Sequence, residues 1–129
     1  MRKKIFGYFC LMLLVIPQGT PLNAALDVPW NLAFGTASWY SESDAGINLQ
    51  TASGEIFDDT RSTCASWDFP FGTRLEVTNL RNGRSVICRV NDRGPAKKLG
   101  RLIDLTKGAF QQIAPLRSGL IHVQIKVVE

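Results

Sequence analysis

Histidine is almost absent from this chain: His122 is the only one in 129 residues. A serine hydrolase that uses imidazole as its base has therefore one candidate base. His122 lies in Ile121-His-Val-Gln-Ile-Lys-Val127, where apolar and polar residues alternate as they do on a half-buried strand. It shares its outward side with Gln124 and Lys126, reads as a surface residue, and leaves Ser66 without a base. Cysteine is scarce as well, with three in the chain and no CxxC pair, and the acids are scattered along the sequence. That pattern has no metal-ligand spacing, so neither a metal nor a cofactor is expected. No apolar run is long enough to cross a bilayer, since Ile5 to Ile16 is far shorter than the roughly 20 residues a spanning helix needs. Repeats, linkers and low-complexity tracts are also missing.

Arg2, Lys3 and Lys4 precede the apolar run, and Pro17 to Ala24 follows it with small and polar residues, which is the layout of a secretory signal peptide. Residues 1–24 are expected to be that leader, with the domain proper at 25–129. Cys10 falls inside the apolar run rather than at its end, so a lipid anchor is not expected. The protein is expected to be secreted or periplasmic, monomeric and free of the membrane after cleavage. Three of the 15 basic residues and none of the 11 acids belong to the leader, so twelve bases face eleven acids in the remainder. Such a balance gives no reason to expect nucleic acid as a partner. Cys64 and Cys88 remain after export. An oxidising compartment favours a bridge between them, the alternative being two small buried hydrophobes.

The dominant period is two. Gly35–Tyr40, Arg74–Leu80, Ser85–Val90, Leu102–Leu105 and Ile121–Val127 read as strands. Arg81-Asn82-Gly83-Arg84 joins two of them and predicts a type I′ hairpin turn. One short helix is expected from Lys107 to Ala114, capped by Thr106 and closed by Pro115. Short strands with turn signals at every join indicate a small closed β-barrel.

Four stretches carry chemistry. Trp39-Tyr40 offers aromatic faces that either stack on sugar rings or pack the core. Thr51-Ala-Ser-Gly-Glu55 is a turn presenting a carboxylate, either solvated or functional. Cys64-Ala-Ser-Trp67 reads as a loop carrying Ser66. In Ser85-Val-Ile-Cys-Arg-Val-Asn-Asp-Arg-Gly-Pro95, a strand runs into a turn where Asp92 lies between Arg89 and Arg93. Asp92 there is either a turn cap or an acid whose titration the arginines and burial push in opposite directions.

The segments GTASWY, TASGEIFDD, FPFGTRLEVTNLRNGRSV, RVNDRGP and GRLIDLTKGAF, in that order, resemble the rare lipoprotein A family. The resemblance implies a mainly β fold, a six-stranded double-psi β-barrel with one short helix, shared with expansins and a family of endoglucanases. It implies lytic transglycosylase activity on peptidoglycan glycan strands, preferring those without stem peptides and leaving 1,6-anhydromuramyl ends. The family's acids fall on Asp92 and Glu55, expected as catalytic residues, with Trp39, Tyr40, Ser66 and Arg93 expected to bind substrate. Ser66 stands where the family usually has a histidine, which weighs toward a second reading: an expansin-like module that holds glycan without cleaving it. A third is a barrel that contacts another protein. The family's lipid-anchor cysteine and appended peptidoglycan-binding domain are not expected here.

Overall fold

The computed structural model describes residues 30–128. The expected leader and its cleavage site lie outside the described residues. Six strands, β1 (Leu32–Tyr40), β2 (Thr63–Ala65), β3 (Arg74–Asn79), β4 (Ser85–Asp92), β5 (Ile103–Thr106) and β6 (Ile121–Val127), close into a barrel in the order β1-β5-β2-β4-β3-β6. The pairs β1–β5 and β2–β4 are parallel and the other ladders antiparallel. Alternation along each strand fills the interior with Ala37, Cys64, Leu75, Val77, Cys88, Val90, Ile103, Leu105, Val123 and Ile125. The one α-helix among the described residues, α1 (Lys107–Gln111), adds the fully buried Phe110, and the turn after it adds Ile113.

The helix is shorter than the sequence predicts. Thr106 caps it as expected, its hydroxyl accepting from the Ala109 N–H. The expected continuation to Ala114 gives way to tighter bonds, Gln112 N–H to Ala109 O and Ile113 N–H to Phe110 O, which end the helix early. The hairpin turn also differs from the type I′ expectation. Gly83 has a φ of +74°, but no described non-glycine residue has a positive φ, so Asn82 does not adopt the required conformation. Asn82 instead works through its side chain, accepting from the Arg84 N–H at 2.9 Å and donating to Ile113 O at 2.9 Å. The strand β2, read in the sequence as loop, has only three residues and too little length to show a period.

The Cys64–Cys88 disulfide is present and fully buried, tying β2 to β4 beneath the site described below. Closing a loop of separation 24 stabilises the fold by roughly 3 kcal/mol in the chain-entropy account. Replacing both cysteines with Ala is therefore expected to lower the free energy of unfolding in urea by about 3 kcal/mol, with a slope equal to or steeper than the parent's because the unbridged unfolded chain is more open. A loss below about 1 kcal/mol would show that the bridge constrains little in the unfolded chain.

Candidate functional site

The site begins with an irregularity. Cys64 pairs with Val90 and Ala65 with Asp92, so one residue of β4, Asn91, has no counterpart on β2. This bulge lets Val90 point into the core while both Asn91 and Asp92 turn to the outer face. Ala65 pairs on its other side with Asp104 of β5, and Asp104 pairs with Ser38 of β1. Asp92, Ala65, Asp104 and Ser38 thus form one row across four strands. With strands about 4.8 Å apart, the two carboxylate-bearing backbone positions lie about 10 Å apart on either side of Ala65.

Tyr40 lies beside this row. Its ring stacks on Phe57 with centroids 4.6 Å apart, and both pack on Ala65. Burial first, then the Asp92 and Asp104 carboxylates, hold the hydroxyl far above its ordinary titration range, so it stays a hydrogen-bond donor. It donates to Asp92 Oδ2 over a long 3.4 Å. Asp92 Oδ1 accepts two backbone N–H groups, those of Ala52 and Arg93, each at 2.9 Å. Asp92 is therefore a turn cap through one oxygen and open to a partner through the other. Neither flanking arginine brings its guanidinium to this carboxylate. The Arg93 guanidinium donates to Ser66 O and Phe69 O at 2.8 Å and lies over the Phe71 ring, while Arg89 reaches Glu55.

Asp104 is the residue that the sequence reading missed. Burial pushes its carboxyl up to about 6, with Asp44 and Asp92 adding to the effect, while the Ser38 hydroxyl and Arg101 oppose it. Ser38 donates to Asp104 Oδ1 at 2.9 Å and is itself approached by Arg101 at 3.4 Å. The signal was a lone carboxylate between Ile103 and Leu105, which period two places opposite two core residues.

Glu55 is placed by the turn that was expected around it. The Thr51 N–H donates to Glu55 O, the Gly54 N–H donates to Thr51 O, and the Ser53 N–H docks the turn on Asn91 O. Its carboxylate takes Arg89 at both oxygens, at 2.6 and 2.8 Å, and Asn91 Nδ2 at 3.2 Å. These hydrogen bonds, Arg89's first, hold the Glu55 carboxyl down to about 2, so it is no proton donor near neutrality. The pair is exposed and contributes little to stability. Arg89→Met is expected to move the Glu55 titration back toward the ordinary carboxylate range while stability changes by less than about 1 kcal/mol. Carboxyl NMR titration checks this, and an unmoved Glu55 would refute the assigned cause.

The expected substrate-binding set is not gathered at this site. Trp39 turns to the core, with its ring 6.5 Å from Phe110 and its indole N–H on Leu116 O at 3.0 Å. Of the set's side chains, only the Tyr40 hydroxyl reaches the row. Ser66 is fully buried, its hydroxyl accepting from the Asp68 N–H, and Arg93 braces the 66–71 loop. Trp67, half exposed with Lys97 over its ring, presents an aromatic face, as do the exposed Trp30, Phe34 and Phe71. The acids are also less scattered than the sequence suggested: Glu42, Asp58 and Asp59 offer carboxylate oxygens within 4.8 Å of one another. Oxygens of all three accept backbone N–H groups of the 42–60 loop.

Residues 32–125 match the lytic transglycolase family. The chain is 47% identical over 94 residues to the probable endolytic peptidoglycan transglycosylase RlpA of Nostoc sp., covering 73% of this chain and 25% of that protein. It is 42% identical over 95 residues to the endolytic peptidoglycan transglycosylase RlpA of Pasteurella multocida, covering 74% of this chain and 31% of that one. The chain thus spans about a quarter to a third of the length of these relatives. Among solved structures, the Streptomyces papain inhibitor superposes with a TM-score of 0.62 at 25% identity, covering 80% of this chain and 100% of the inhibitor. An apo expansin of Clavibacter michiganensis superposes at 0.59 with 23% identity, over 76% of this chain and 50% of the expansin, and shares the fold. The closed six-stranded barrel, the family match and these identities together place the chain in the RlpA-like lytic transglycolase family of double-psi β-barrels.

Proposed function

We propose that this domain works outside the cytoplasm as a lytic transglycosylase on peptidoglycan glycan strands, leaving 1,6-anhydromuramyl ends and preferring strands without stem peptides. The observation that carries the reading is the pair of dissimilar carboxylates, Asp104 and Asp92, set about the Tyr40 hydroxyl. Two carboxylates whose surroundings differ are suited to opposite proton-transfer roles. The disulfide fits an oxidising compartment.

Asp104, whose carboxyl keeps its proton up to about pH 6, is the acid. It gives that proton to the glycosidic oxygen as the bond from C1 to that oxygen breaks. The 6-hydroxyl oxygen of the same muramyl residue then bonds to C1, and its proton passes to Asp92 Oδ2. Solvent afterwards returns a proton to Asp104 and removes one from Asp92. Tyr40 fixes the free oxygen of Asp92. Glu55, paired with Arg89, orients sugar rather than sharing the acid–base work.

A second reading, a module that holds glycan without cutting it, draws on the two backbone N–H groups that occupy Asp92 Oδ1. Mass spectrometry of purified glycan strands, with and without stem peptides, separates the two. Anhydromuramyl products, more abundant from stripped strands, are the expected result. Strands pulled down intact would replace the enzyme with the binding module.

A further inference from the structure

A cavity of about 440 Å³ lies beside the catalytic row, lined by Glu55, Ile56, Asp58, Arg61, Thr63, Arg89 and Asn91. Its charged groups are matched among themselves. Arg89 holds Glu55 at 2.6 and 2.8 Å, and Arg61 Nε lies 3.4 Å from Asp58 Oδ2. A free anion or cation would find no uncommitted counter-charge there. Thr63 and Asn91 differ from the rest: both are more than nine-tenths buried, and Thr63 Oγ1 and Asn91 Oδ1 have no hydrogen-bond partner. A buried polar atom without a partner costs about 1–3 kcal/mol, so two such atoms on residues that line one cavity favour a polar occupant once the side chains covering them move aside.

The atoms define what that occupant must offer. Asn91 Oδ1 only accepts, so it needs an N–H or O–H donor, while the Thr63 hydroxyl both donates and accepts. Ile56, 77% exposed, supplies an apolar wall. An N–H, a carbonyl and a methyl in one neutral group constitute an acetamido substituent. Glu55 covers Asn91 through its 3.2 Å hydrogen bond, and the side chains of Glu55 and Arg89 are 42% and 40% exposed. An exposed pair of this kind turns aside at small cost.

We propose that this cavity is the subsite for the acetamido group of a sugar next to the bond being cleaved, reached when Glu55 swings off Asn91. Its place rests on the reading of Asp92 and Asp104 as the reactive centre, because Asn91 is the chain neighbour of Asp92. The N–H of the acetamido group goes to Asn91 Oδ1, its carbonyl to the Thr63 hydroxyl and its methyl to Ile56.

The test is titration calorimetry of the purified protein with hexamers of N-acetylglucosamine, glucosamine and glucose, alongside NMR of the Asn91 side-chain amide. The N-acetylated hexamer is expected to bind at least tenfold more tightly than either other hexamer and to shift the Asn91 amide. Thr63→Val, which replaces an unpartnered hydroxyl with a methyl of similar shape, is expected to reduce that preference to within about threefold, and Thr63→Ser to restore it. Equal affinities, an unmoved Asn91 amide or a preference untouched by Thr63→Val would mean that water alone fills the cavity, and would overturn the inference. Acetamido selectivity without cleavage would sink the transglycosylase and leave the subsite standing, whereas anhydromuramyl products without selectivity would do the reverse.

Discussion

Asp104→Asn is expected to cut the formation of anhydromuramyl products by roughly 10²- to 10⁴-fold, the usual loss when a general acid is removed, and to make the protein more stable above pH 6. Both effects follow from one burial. The folded-state carboxyl titrates at about 6, against about 3.9 for an unfolded aspartate. Between these values the folded chain holds a proton that the unfolded chain has released. Stability from this group is thus complete below about pH 4 and lost as pH rises through 6. At neutral pH the ionised, largely buried Asp104 costs on the order of 2–3 kcal/mol. Asparagine keeps an oxygen for the Ser38 hydroxyl bond seen at 2.9 Å but carries no charge to bury. Chemical denaturation at pH 8 should therefore show the variant above the parent by about that amount, and at pH 4 the two should lie within about 1 kcal/mol. Activity of the parent should decline on the alkaline side with a midpoint near 6. A variant that gains stability at pH 8 yet still makes products would show that Asp104 is only a buried acid, and the proton donor would have to be sought elsewhere.

Much of this fold was legible because period two survives in single sequences. The Ile121–Val127 alternation, the strands on either side of the Asn-Gly turn, the Thr106 cap and the Cys64–Cys88 bridge all rest on neighbours in sequence or on the redox compartment. β2 could not be read, since three residues carry no period, and yet β2 holds Asp92 and Asp104 in one row. The turn presenting Glu55 was legible, and its partner was not. Arg89 lies three residues from Asp92 in the chain, but alternation and the bulge at Asn91 send it to Glu55 instead. The same limit applies to Trp39, left open between sugar stacking and core packing, and to Ser66, which the family resemblance suggested as a contact. The Trp39 ring lies beside Phe110 and Ser66 is fully buried, and burial is not visible in a single sequence. Asp104 was visible as a lone acid in an apolar strand, but its significance depends on burial, which only the closed barrel supplies.

The loop that carries half of the site hangs on one glycine. Gly108, in the first turn of α1, donates its N–H to Asp59 O at 2.8 Å, and Thr106 Oγ1 donates to Arg61 O at 2.6 Å, so the 59–61 backbone is clamped to the start of the helix. A Cβ at position 108 would stand 2.9 Å from Asp59 O and 3.0 Å from Thr60 O. Both are backbone atoms that no rotamer change can move aside, so Gly108→Ala must push the loop off the helix. Alanine's better helix propensity returns about 1 kcal/mol at most in so short a helix, and overpacking of this kind costs about 1–3 kcal/mol. The net loss should appear as a melting temperature lower by several degrees, since about 1 kcal/mol shifts a domain of this size by roughly 4–8 °C. The chemical consequence is separate. The same loop brings the Ala52 N–H to Asp92 Oδ1 and Phe57 to the Tyr40 ring. Displacing it should lower turnover at temperatures where the variant is still fully folded, because a shift of about 1 Å in a positioned group can cost about 10²-fold. Turnover measured well below the melting transition, with circular dichroism on the same sample, distinguishes the two effects. A variant that melts earlier but turns over normally while folded would mean that Asp92 and Tyr40 hold their places without the loop.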